Sequence, residues 1–190
     1  MIAALAALTA VVSCNKDNNN SKKGDTIDRA VVHCKLNYDF SISAEGKTMT
    51  YSTSFDCLDV KAVCTVNGTE VANEAVSASS KTWSKNVEIT STSTVEIKPV
   101  YTLKKEFEAN LPERLTAACI CESETIGTTT YAYITVDYYN GNNLMKTDKF
   151  SISDIYVGSG YKAKEKGLDE TKTYLNRQSE RNTYSIKVTL

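Results

Sequence analysis

This 190-residue chain predicts an all-β fold, an antiparallel β-sandwich of about nine or ten strands. Three observations carry that expectation. Val32, Cys34, Leu36, Tyr38, Phe40 and Ile42 alternate with His33, Lys35, Asn37, Asp39 and Ser41. A period of two places one set on a buried face and the other on a wet one. Asn67-Gly68 follows a second alternating run, and this pair favours a tight hairpin because both central residues take positive φ. No long helical pattern alternates with the strand runs, so a parallel sheet with crossover helices is not expected. A closed β-barrel is the alternative architecture for the same pattern.

The elements follow in chain order. The run from Val32 reaches the turn-forming segment 44–47, and Met49, Tyr51, Thr53, Phe55 and Cys57 continue beyond it, so 32–57 reads as a long hairpin. Val60, Ala62, Cys64 and Val66 lead into Asn67-Gly68. Segments 87–89 and 95–97, each Val-Glu-Ile, read as a further hairpin, with Pro99 placing its second strand at an edge or bulge because proline cannot donate to a ladder. Strands are expected at 115–121, 129–139, 144–152 and 183–190, the middle pair joined by a turn at 140–143. Segments 71–80 and 169–180 are open to a short helix, and Leu103, Phe107 and Leu111 fit a helical face as well as a strand.

The N-terminus reads differently. An apolar stretch, 1–13, ends in Val11-Val12-Ser13-Cys14, and a polar run rich in Asn and Lys follows. The stretch is shorter than the about 20 apolar residues that span a bilayer, and fits the apolar region of a signal peptide. The junction resembles a bacterial lipoprotein signal, with 11–14 standing where that family has its lipobox, although Met1-Ile2 supplies no basic start. With the β-rich body, it resembles the small lipoproteins of Bacteroidetes. The resemblance implies that 1–13 are cleaved and that Cys14 becomes an acylated first residue at the outer membrane. Each buried methylene contributes about 0.8 kcal/mol, and a multiply acylated Cys anchors stably without a transmembrane helix.

Residues 14–29 hold almost nothing apolar before Ile27, so they read as a flexible tether of roughly 20 Å average reach. Asn15-Lys16-Asp17 is similar to the charged export signal of surface lipoproteins of that phylum. Asp25-Thr26-Ile27 is similar to its O-glycosylation sequon, with Thr26 as acceptor. Residues 30–190 have the size of a single domain.

Five cysteines remain beyond Cys14: Cys34, Cys57, Cys64, Cys119 and Cys121. Export makes oxidation possible, an odd number leaves at least one thiol free, and spacing does not reveal connectivity. Cys34, Cys57 and Cys64 take inward strand positions, and Cys119 and Cys121 share a face, so buried small hydrophobes are expected. C-x-C and C-x₆-C spacings in alternating strands suit neither zinc nor a redox dithiol. Cys64, Trp83 and Cys121 follow the order of an immunoglobulin domain, but Cys119 stands where its corner tyrosine would.

Composition narrows the function. A formal charge of −1 supplies no field for nucleic acid. The single histidine, His33, lies on the polar side of its strand without a nucleophile elbow, and Gly158-Ser-Gly160 lacks the lysine of a phosphate loop. No enzyme, cofactor or metal is therefore expected. The eleven tyrosines leave one candidate surface. Along 129–139, Ala132, Ile134, Val136 and Tyr138 form the apolar face, and Tyr131, Tyr133, Thr135, Asp137 and Tyr139 the outer one. Aromatic rings beside hydrogen-bonding groups suit a glycan or an envelope protein. The expected role is thus a non-catalytic, lipid-anchored binding module. The alternatives are a fimbria-like adhesive subunit exchanging strand 30–42, and an apolar-ligand carrier.

Overall fold

The computed structural model describes residues 26–152 and 154–190. The chain runs β1 (Arg29–Asn37), β2 (Asp39–Ala44), β3 (Lys47–Ser52), β4 (Leu58–Val66), β5 (Thr69–Val76), β6 (Thr82–Ile89), β7 (Ser93–Leu103), α1 (Lys105–Glu108), β8 (Leu115–Ala118) and β9 (Glu122–Ile126). It continues through β10 (Thr129–Asn140), β11 (Asn143–Ile152), β12 (Val157–Tyr161), α2 (Ala163–Lys166), α3 (Leu168–Arg181) and β13 (Tyr184–Val188).

The fold is an all-β antiparallel sandwich. One sheet has the order β11-β10-β1-β6, with β9 also paired to β10. The other has the order β13-β7-β4-β5. Both keep free edges, so the closed barrel is not formed. Two short pairs, β2-β3 and β12-β8, complete the ladders. One core lies between the sheets: Val32, Leu36, Val87 and Val136 from the first pack with Val60, Ala62, Ile97 and Val188 from the second. Leu175 of α3 joins it from the side. A smaller cluster of Phe40, Ala118, Ile120 and Ala132 lies under the β2-β3 hairpin.

Thirteen strands among the described residues exceed the expected number for identifiable reasons. The run 32–42 divides at Tyr38. β1 pairs with β10 and β6 inside the large sheet, whereas β2 turns at Glu45-Gly46 to pair with β3 alone. β3 stops at Ser52, and Cys57 sits in the turn before β4 rather than on a strand, so 32–57 is not one hairpin. Segment 71–80 contributes strand β5, and 169–180 lies within helix α3. The Asn67-Gly68 hairpin forms as expected, with φ of 50° and 79°.

Segments 87–89 and 95–97 do not form a hairpin. β6 pairs with β1 in one sheet, β7 pairs with β4 and β13 in the other, and residues 90–92 carry the chain across. Pro99 accordingly lies in an interior strand, opposite Ala62. The β13 ladder reaches only Ile97. Beyond it Tyr101 N–H donates to Ser179 Oγ of α3, and Pro99, two residues before Tyr101, turns its nitrogen the same way. The missing donor therefore costs no ladder bond. Within segment 30–42, the one expected to exchange in a fimbria-like assembly, β1 is paired on both edges within its own chain, and β2 pairs with β3 alone.

Candidate functional site

β10 supplies the row of outward residues that its alternation predicts. Thr130, Ala132, Ile134, Val136 and Tyr138 are buried, and Tyr131, Tyr133, Thr135, Asp137 and Tyr139 turn away from the core. The strand is interior because β11 covers one edge while β1 and then β9 share the other. Tyr133, Asp137 and Tyr139 thus meet side chains from other strands.

At one end the Arg29 guanidinium lies 4.1 Å above the Tyr139 ring. Arg29 also reaches Glu88 at 3.7 Å and the Gly141 carbonyl at 3.2 Å. In the middle, Asp137 Oδ2 is 2.8 Å from His33 Nε2, and its Oδ1 accepts a 2.5 Å hydrogen bond from Thr147 Oγ1. His33 Nδ1 faces Asn86 Oδ1 at 3.0 Å. At the other end Lys149 Nζ lies 4.3 Å above the Tyr133 ring and 2.7 Å from Glu124 Oε2. Glu122 stands opposite Tyr133, and Lys35 reaches it at 3.5 Å. Tyr131, 48% exposed, presents the most open ring of the row.

The electrostatics follow from these contacts. The Thr147 hydrogen bond, and then the His33 ring, hold the Asp137 carboxyl below its ordinary value. The hydrogen bond to Glu124 holds the Lys149 ammonium above its ordinary value. Arg29, Lys35 and Lys149 are interspersed with Glu88, Glu122, Glu124 and Asp137, so neither sign dominates. Such a face offers ring surface and directional hydrogen bonds rather than a field for a polyanion.

The tyrosine row is therefore where expected, but two of its rings, Tyr133 and Tyr139, already carry a cation on one side. His33 is not an isolated solvent-facing residue, because both ring nitrogens face acceptors on other strands. Arg29, His33, Asn86, Thr147 and Lys149 join the site through strand register. Only the polar, outward phase of their own strands hinted at them. A surface hollow away from this row, lined by Tyr161, Asp169, Tyr174 and Arg177 among others, has a volume of about 440 Å³.

Thr26 is exposed just ahead of β1, where Asp28 N–H donates to the Tyr139 carbonyl at 2.9 Å. Cys14, with the expected signal peptide 1–13 and the part of the expected tether up to residue 25, lies outside the described residues. Cys34, Cys57, Cys64, Cys119 and Cys121 are all buried and unbridged. Burial pushes the Cys57 thiol up to about 11. The described residues hold no cluster of His, Cys, Asp and Glu arranged for a metal ion. Trp83 lies on the edge strand β6, where its indole N–H donates to Glu74 Oε2 of edge strand β5 at 2.9 Å. Its ring is buried in the main core, and the indole hydrogen bond joins the two sheet edges.

Fold and site together define the class, an antiparallel β-sandwich with a tyrosine-rich polar face. No protein-family model, curated protein or solved structure matches the chain. Among the described residues no helix is long and apolar enough to cross a membrane.

Proposed function

We propose that this protein is a non-catalytic binding module of the bacterial cell envelope. It is held at the outer membrane by an acylated Cys14, and it takes a glycan or an envelope protein on the outer face of β10. The observation that carries the reading is the single row of Tyr131, Tyr133, Thr135, Asp137 and Tyr139 on one solvent-facing sheet surface. Exposed Tyr131, next to Glu124 and the Lys149–Tyr133 stack, combines a ring face with charged hydrogen-bonding groups. That combination suits sugar rings, which offer an apolar face and hydroxyl edges. His33 fits the non-catalytic reading, because its ring nitrogens are occupied in tying strands together.

A glycan array probed with the wild-type protein and with Tyr131→Ala tests the binding. Retained wild-type binding with loss in the variant is the expected result. A wild type that binds no polysaccharide sinks the glycan arm and leaves an envelope-protein partner to be sought by cross-linking through residue 131. Metabolic labelling with a palmitate analogue tests the anchor: label is expected on the wild type and absent from Cys14→Ala.

A further inference from the structure

Cys34 and Cys64 meet across the sandwich. Cys34 is on β1, between β10 and β6, and Cys64 is on β4, between β7 and β5. Their sulfurs are 3.9 Å apart and share an S–H···S hydrogen bond. The residues are 1% and 0% exposed. Other thiols turn to backbone carbonyls: Cys57 to Ser54 at 3.6 Å and Cys119 to Ile120 at 4.0 Å. Cys121 lies in the same buried cluster and is the competing partner.

We propose that Cys34 and Cys64 form a disulfide that ties the two sheets together. A disulfide has an S–S length of about 2.05 Å, so the sulfurs must close by about 2 Å, through side-chain torsion and a small approach of the strands. The oxidant is a low-molecular-weight or protein disulfide. One thiolate of the pair attacks it, forming a mixed disulfide and releasing one thiol. The second thiolate then attacks the protein sulfur of that mixed disulfide and releases the other thiol. The protein loses two electrons and two protons, and the donor disulfide leaves as two protonated thiols. The shared hydrogen bond, with burial, pushes the Cys34 thiol up, while the same bond pulls Cys64 down. Because both sulfurs are buried, the donor reaches them while the sheets are still open, and the folded protein exchanges slowly.

The bond would fix β1, which carries Arg29 and His33 to the tyrosine face, against the opposite sheet. It rests on the proposed export only for where in the cell it forms; its chemistry is independent of that reading.

The full-length chain, reduced and unfolded, is refolded by dilution into a glutathione redox buffer. It is then unfolded without reductant, alkylated and digested with trypsin. Cleavage places Cys34 in 30–35, Cys57 in 48–61, Cys64 in 62–81, and Cys119 with Cys121 in 115–146. The expected product is 30–35 joined to 62–81, with a higher urea midpoint than after reduction, and Cys121→Ala should retain the link. Alkylated Cys34 and Cys64 in the refolded chain, or a link from 30–35 to 115–146, overturns the proposal. A correct link in the purified protein, with free thiols in a cytoplasmic cellular pool, overturns export and leaves the pairing standing.

Discussion

His33 Nε2 lies 2.8 Å from Asp137 Oδ2, although the two residues are 104 positions apart in the chain. With Asn86 on the other ring nitrogen and Thr147 on the other carboxylate oxygen, they form one side-chain relay. It crosses the outer face from β6 through β1 and β10 to β11. The relay pins the register of the sheet that displays the tyrosines.

Asp137 is the residue on which the relay depends. Its carboxyl is depressed in the folded protein by the Thr147 hydrogen bond and the His33 ring. A depressed carboxyl adds stability above its unfolded value of about 3.9, and that stability is lost as pH falls through the lower folded value. Asp137→Asn is expected to cost about 1–3 kcal/mol at pH 7, with the gap to wild type closing as pH falls below about 4. Urea midpoints at neutral and acid pH measure it, and an equal gap at both refutes the charge-based account.

Gly158 of β12 is a packing requirement rather than a turn residue. A Cβ there would collide with the Tyr174 hydroxyl and lie 2.6 Å from Gln178 Cδ, both on α3. Gly158→Ala is expected to destabilise by about 1–3 kcal/mol, because the helix must shift or the side chains must leave their rotamers. An unchanged denaturation midpoint would mean that α3 is not held against β12.

Leu36 and Tyr131 separate folding from recognition. Leu36 is fully buried between the sheets, so Leu36→Ala leaves a cavity and is expected to cost about 2–5 kcal/mol. Tyr131 is half-exposed, and Tyr131→Ala is expected to stay within about 0.5 kcal/mol of wild type. Thermal or urea unfolding of the two variants checks the contrast. A large loss from Tyr131→Ala would make that ring part of the fold.

Much of the fold was legible because its signals are local. The period of two assigned the faces of β1 and β10 correctly, and Asn67-Gly68 announced a turn whose dihedral angles demand those residues. The hairpin expected across 87–97 failed for a different reason. The two apolar runs look alike whether the intervening bend folds them together or carries the chain to the opposite sheet. That choice is made by distant strands: β6 pairs with β1 in one sheet and β7 with β4 in the other.

Local chemistry thus settles which residues turn inward and which outward, since side-chain direction alternates along any strand. It set out the tyrosine row of β10, the buried cysteines and the polar course of the N-terminal segment. Strand neighbours are another matter, because pairing is a long-range competition among many similar ladders. Only the folded arrangement places Arg29 over Tyr139, His33 beside Asp137 and Cys34 against Cys64. Each of these contacts joins residues from separate strands, so no local pattern records it.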